Sequence, residues 1–318
     1  MSWLPHPIPL VDIDAFKVSL SLMWIRDDTP FLGKVAKGVV LLIPVYNTSF
    51  RCWNVLERAL YRLDPLPEKI IFCENNSEDI TLGLLKNFKL PHEIIRVWFR
   101  GDAGKGKKQN FEPIAHVRQL LLTRARTYGA KLAIFLDDDC IPERKDFIQM
   151  FLNDKLDICS GEYLREFPEG VFVASGWLVD SPMKDMPNGD NPDPEVIANL
   201  KETIKQAKKH NCPMLIFYYS NFSKEAIYKP SVTSAGAMAL SKKILRDKRL
   251  NFVPLRHDLV DNPDGVSEDF GFCLLARNLG YEIYLDFRIK FAHLGVRSNQ
   301  EKMKHRPWSV DEAESFEY

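Results

Sequence analysis

Apolar positions along this chain fall into two alternating rhythms. Val39-Val-Leu-Leu-Ile-Pro-Val45 is an unbroken apolar run of the length of a buried strand. The next segment, residues 50 to 63, places Trp53, Leu56, Leu60 and Leu63 at helical spacing. The same alternation continues with strands over 69–74 and 93–99, a helix over 81–88, and a long helix over 112–128 that stops near Gly129. A further apolar strand, Ile134-Phe135-Leu136, follows directly. Strand and helix in turn predict βαβ units on a mostly parallel sheet, whose ligands bind beyond the carboxyl ends of the strands.

The second half is less regular. Strands are expected over 156–163 and 171–179, and the Pro-, Asn- and Asp-rich stretch 181–194 reads as a loop, either a lid or a plain surface connection. Asp193 and Pro194 then suit the start of a helix whose stripe Ile197, Leu200, Ile204 and Ala207 is expected to pack on the core. Small residues from Ser234 to Leu240 precede a helix capped by Ser241, and suit either tight packing or close approach of an acceptor. Ser267-Glu268-Asp269 opens a helix that runs to Asn278 and stops at Gly280. From Ile283 to Phe291, apolar and polar residues alternate as in a strand with one apolar face, leading to His293. The divisions expected are an N-terminal segment wrapping the core (1–35), two halves (36–180 and 181–298) of one large α/β domain, and a C-terminal tail (299–318).

Composition narrows the classes. In 318 residues, Lys+Arg and Asp+Glu both number 43, so no global field draws the protein to nucleic acid or an acidic membrane. Six scattered cysteines form no C-x-x-C pair and mostly sit in apolar runs, which suits buried thiols in a reducing compartment. No transmembrane segment or signal peptide is evident, and a cytoplasmic location is expected. Glycans on the Asn47 and Asn75 sequons would fall at strand ends and block the expected cleft.

The chemistry concentrates where a strand runs into Asp137-Asp138-Asp139. Three adjacent carboxylates repel one another, and side-chain alternation puts Asp137 and Asp139 on one side of the strand. Either the turn is solvated, or it holds a hard cation such as Mg²⁺ or Mn²⁺ that shares its coordination sphere with a phosphate. Glu268 and Asp269 admit a plain reading as dipole-favoured acids in a first helical turn, and a functional one as a general base aimed at an acceptor hydroxyl. Gly104-Lys105-Gly106-Lys107-Lys108 lacks the spacing of a Walker loop and reads as a basic turn, solvated or beside an anion.

Together these pieces resemble the nucleotide-sugar glycosyltransferases of the GT-A fold, particularly the family 2-like members. Ile43-Pro44-Val45-Tyr46-Asn47 is similar to the opening strand and its turn, and Glu74-Asn75-Asn76-Ser77-Glu78-Asp79 to the acidic turn after the second strand. Phe135 to Asp139 resembles the D-x-D motif, Ser267-Glu268-Asp269 the x-E-D motif, and His293 stands at the C-terminal histidine. The resemblance spans about residues 39 to 295. It implies a GT-A (Rossmann-like) central sheet flanked by helices, and transfer of a sugar from a nucleoside-diphosphate sugar to an acceptor hydroxyl.

Carried onto this chain, the resemblance implies that Glu74 contacts the nucleotide base, within a donor site that also includes Pro44, Tyr46, Asn47, Asn76 and Asp138. Asp137 would contact the ribose or the ion, while Asp139 and His293 bind Mn²⁺ or Mg²⁺. Asp269 would be the base of an inverting reaction and Glu268 its support. Arg118 is the candidate diphosphate contact, although the usual A-R-N-x-G run is absent here. The acceptor (glycan, lipid, protein or nucleic acid) is not specified. Two alternatives stand beside this reading, a sugar nucleotidyltransferase and a non-catalytic carbohydrate-binding protein on the same fold. Against the first, Pro44 to Ser49 is not a glycine-rich phosphate loop.

Overall fold

The structure is a computed structural model; it describes residues 19–26, 33–50, 52–99, 112–167, 170–179, 214–218, 227–230, 232–252 and 267–294. The basic turn at 104–108, the loop and helix expected over 181–210, and the tail at 299–318 lie outside the described residues.

Within them, β1 (Ser19–Arg26) is followed by β2 (Val35–Val45), α1 (Trp53–Tyr61), β3 (Leu66–Asn75), α2 (Thr81–Asn87), β4 (His92–Trp98), α3 (Glu112–Tyr128) and β5 (Leu132–Leu136). The chain continues through β6 (Cys140–Pro142), α4 (Phe147–Asp154), β7 (Ile158–Phe167), β8 (Gly170–Val179), β9 (Met214–Tyr218), β10 (Ile227–Tyr228) and β11 (Val232–Thr233). It closes with β12 (Ala237–Ser241), α5 (Lys242–Arg246), α6 (Glu268–Asn278) and β13 (Ile283–His293). The main sheet path runs β1-β4-β3-β2-β5-β12-β7-β13-β10. The fold is α/β, a central sheet flanked by helices, as the alternation predicts.

Parallel pairing holds the order β4-β3-β2-β5 together. β2 and β5 are neighbours although two βαβ units separate them in sequence, so the crevice at their carboxyl ends is the topological switch point. Beyond β5 the sheet is mixed: β12 runs antiparallel to both β5 and β7, and β13 parallel to β7. Part of the expected N-terminal wrapping segment is an edge strand, β1, antiparallel to β4. The small-residue run ending at Leu240 is also a strand for most of its length, because β12 sits between two strands and is covered on both faces.

Burial on both faces explains the unbroken apolar runs. Leu41, Ile43, Phe72, Ile134 and Leu136 face one core with α1 and α4, while Val40, Leu42, Ile71, Ala133 and Phe135 face the other with α3, α5 and α6. Trp53, Phe72 and Phe88 interlock edge-on or tilted at centroid distances of 5.5–6.2 Å and lock α1 and α2 to the sheet. The long α3 ends at Gly129, whose φ of 79° is easily adopted without a Cβ. Among the described residues no helix is long and apolar enough to cross a membrane.

Candidate active site

The three aspartates after β5 diverge, each toward a different part of the molecule. Asp137 turns to Arg118 on α3, whose Nη2 donates to both carboxylate oxygens at 2.7 and 2.8 Å. The Asp137 backbone N–H donates to the Gly236 carbonyl at 2.8 Å and sets the strand tip against β12. A Cβ at Gly236 would stand 2.9 Å from the Tyr163 hydroxyl and 3.2 Å from Asp137 Oδ2, so the close approach needs glycine.

Arg118 is the hub. Its Nη1 donates to Glu268 Oε1 and lies 3.9 Å from Asp269 Oδ2, so one guanidinium ties α3 and the tip of β5 to the first turn of α6. Arg118 is 5% exposed. Burial works against its charge, but Asp137, Glu268 and Asp269 outweigh it and hold its pKa above the ordinary value. Glu268 moves the other way from a freely ionised acid: burial pushes its pKa up to about 7 against the pull of Arg118, with Asp269 adding to the rise. Asp269 accepts from the Ser267 hydroxyl and, at 2.8 Å, from the Phe270 N–H. Ser267 has the extended backbone of an N-cap, yet its hydroxyl serves Asp269 and makes no side-chain cap bond.

Asp138 points into the parallel half. Buried at 6% exposure, it accepts from the Thr48 hydroxyl and, at 3.5 Å, from the Tyr46 N–H, so it pins the turn after β2 across the switch point. Asn47 joins that turn to the next one: its N–H donates to Ser77 Oγ at 3.0 Å, and its Oδ1 accepts from the Glu78 N–H at 2.8 Å. Asn76 pairs its amide with both backbone groups of Phe99 at 2.8 Å. Asn47 and Asn76 share a φ of 49°, a left-handed conformation that asparagine tolerates. Pro44 is buried in β2, whereas Tyr46 is 45% exposed at the crevice. Glu74 has 0% exposure; Oε1 accepts from the Ser77 N–H at 2.6 Å, and Oε2 lies 2.8 Å from Arg96 Nε in an ion pair without hydrogen-bond alignment. The carboxylate expected to touch a nucleotide base is therefore turned inward.

Asp139 faces the far side of the tip. Its Oδ1 lies 3.9 Å from His293 Nε2, and its carbonyl accepts from the Leu294 N–H at 2.7 Å, which ties the turn to the end of β13. Cys140 stands directly opposite His293 in the β6–β13 ladder. Donor atoms of Asp139, Cys140 and His293 all fall within 4.8 Å of one another. Tyr163 stacks on the imidazole at 5.4 Å with an interplanar angle of 22°. An oxygen, a nitrogen and a sulfur at this spacing fit a divalent cation. Asp137, expected in the same cluster, is instead bound to Arg118.

The structure thus brings Asp139 near His293 and, through Arg118, joins Asp137 to Glu268 and Asp269, whereas sequence reasoning did not single out Cys140, Tyr163 or Thr48. Short apolar Cys140-Ile141-Pro142 after the acids was the available signal for a strand, and its partner was not legible locally.

No protein-family model matches the chain, and no curated protein is significantly similar to it. Solved structures that align with it include TarS 1-349 from S. aureus in complex with UDP, with 13% identity, a TM-score of 0.42, and coverage of 80% of this chain and 59% of that one. A second structure of S. aureus TarS aligns at 14% identity and a TM-score of 0.43, covering 81% of this chain and 36% of that one. A197 from STIV aligns at 15% identity and a TM-score of 0.39, covering 81% and 86%. The chain therefore spans less than two thirds of the TarS chains it matches.

Proposed function

We propose that the protein is a metal-dependent glycosyltransferase of the GT-A type, moving a sugar from a nucleoside-diphosphate sugar to an acceptor hydroxyl. One observation carries the reading: carboxylates from the end of β5 and the start of α6 meet on Arg118 at the carboxyl ends of the parallel strands, with Asp139 and His293 on the other side of the same tip. Asp137, Glu268 and Asp269 outnumber the single guanidinium among them, and Asp138 and Asp139 adjoin, so the tip has an excess of acid. A cation and a diphosphate complete such a site.

Asp139 and His293 are the residues to hold Mn²⁺ or Mg²⁺, which when bound supplies Lewis-acid stabilisation of the departing diphosphate. Asp137, oriented by Arg118, faces the ribose. The exposed Tyr46 ring offers a flat surface to the base at the crevice. Asp269 accepts the proton of the acceptor hydroxyl if the reaction inverts, for about 10²- to 10⁴-fold in rate. Glu268, committed to Arg118, positions the first turn of α6 and with it Asp269. Residues 36–180 form the donor half and 181–298 the acceptor half in this reading. Among the described residues, Cys52, Cys73, Cys140, Cys159 and Cys273 are buried and form no disulfide, which suits a reducing compartment such as the cytoplasm.

The test is Asp269→Asn assayed against a panel of nucleotide sugars and candidate acceptors. The proposal expects intact donor binding and a collapse of turnover; wild-type turnover removes Asp269 as the base.

A further inference from the structure

From the placement of Cys140 we infer that the cation site includes its thiolate as a third protein ligand, and that the site therefore favours a borderline ion such as Zn²⁺ or Co²⁺ over Mg²⁺. This inference rests on the proposed metal role of Asp139 and His293 and goes beyond it in donor set and ion class.

The geometry comes from the β6–β13 ladder. Cys140 and His293 are directly paired residues of two antiparallel strands, and Asp139 precedes Cys140 in the same chain. All three donor atoms lie within 4.8 Å of one another. At zinc-ligand bond lengths of about 2.0–2.3 Å and tetrahedral angles, donor atoms stand roughly 3.3–3.7 Å apart, so a pair at the 4.8 Å limit draws in by about 1 Å on binding. Cys140 is 1% exposed, whereas the Asp139 and His293 side chains are 16% and 15% exposed. The ion would thus be held from below by sulfur and reached from the crevice past the carboxylate and imidazole.

Two neighbours restrict the alternatives. Arg118 already holds both oxygens of Asp137, so the carboxylate that would make an all-oxygen site suited to Mg²⁺ is engaged elsewhere. Tyr163, stacked on His293, fixes the imidazole plane, and the Leu294 N–H to Asp139 carbonyl bond at 2.7 Å fixes the backbone beneath. Three protein ligands of N, O and S type with open positions are the composition of a catalytic site for zinc. Binding requires the thiol to release its proton, so the ion is taken up with proton release.

The test uses the full chain stripped with a chelator and titrated with Co²⁺, whose complexes report sulfur ligation by a near-ultraviolet charge-transfer band. Wild-type protein is expected to show the band at one equivalent, to lose it on adding Zn²⁺, and to retain it in excess Mg²⁺. Cys140→Ser is expected to lose the band and to bind Co²⁺ more weakly by at least the roughly 10- to 100-fold that losing an outer-shell partner costs. X-ray absorption of the zinc-loaded wild-type protein needs no variant, and should show one sulfur at about 2.3 Å. Cobalt binding without the band, a Cys140→Ser variant with an unchanged spectrum, or zinc bound by nitrogen and oxygen alone would each overturn the inference. The sulfur signal without sugar-nucleotide turnover leaves it standing and removes the transferase reading; turnover with Mg²⁺ and no sulfur signal does the reverse.

Discussion

Two neighbourhoods lie on either side of one strand tip, and they are built on opposite principles. Around Asp137 the protein supplies its own cation: Arg118, buried on α3, binds acids from β5 and α6 and joins three elements. Around Asp139 the polar groups are an imidazole and a thiol set on paired strands, which suit an ion from outside. The contrast separates holding from binding. Removing a member of the first should cost stability, and removing a member of the second should cost ligand.

Arg118→Ala is the harshest way to break the comparison. It strands buried carboxylates, and urea denaturation should show a loss of about 3–5 kcal/mol. Arg118→Lys keeps the charge but cannot make the forked bond to Asp137, so it should recover only part of that loss. Asp138→Ala comes next, at about 1–3 kcal/mol, because it leaves the Thr48 hydroxyl without this acceptor at the switch point. Near-wild-type melting of either Ala variant would show that the tip does not hold the elements together.

Glu268 sharpens the comparison through pH. Its folded pKa of about 7 stands above the ordinary 4.5, so the folded state binds the extra proton between those values. This contribution to stability is full below about pH 4.5 and declines as pH rises through 7. Glu268→Gln should flatten that decline in melting curves taken across the same window; an unchanged slope would assign the titration elsewhere. The smallest stability effect belongs to Asp139→Asn, within about 1 kcal/mol. The same variant should abolish the metal-dependent rise in melting temperature with nucleoside diphosphate.

The parallel half was legible because its strands are buried on both faces and its helices carry one apolar stripe, so periodicity alone marks Val39 to Leu136. The acid run after a strand marked Asp139 as a candidate and the family resemblance added His293; the structure sets their side chains 3.9 Å apart. What stayed hidden depends on pairing at long range. Ala237–Ser241 looks like small residues before a helix until β5 and β7 flank it. Cys140 looks like a core thiol until β13 brings His293 opposite. The role of Arg118 depends on α6, 150 residues away in the chain. Glu74 shows the converse, an acid in a suggestive place whose oxygens serve its own turn and Arg96.

The most direct test of the function is the product released from nucleotide sugars by the purified full chain, with a divalent metal and with chelator. The account predicts slow, metal-dependent release of nucleoside diphosphate that accelerates when the right acceptor is added. Conversion of the nucleotide sugar and added pyrophosphate to nucleoside triphosphate and sugar 1-phosphate would make the protein a nucleotidyltransferase, and no release across the donor panel would leave a binding protein; either result contradicts the account.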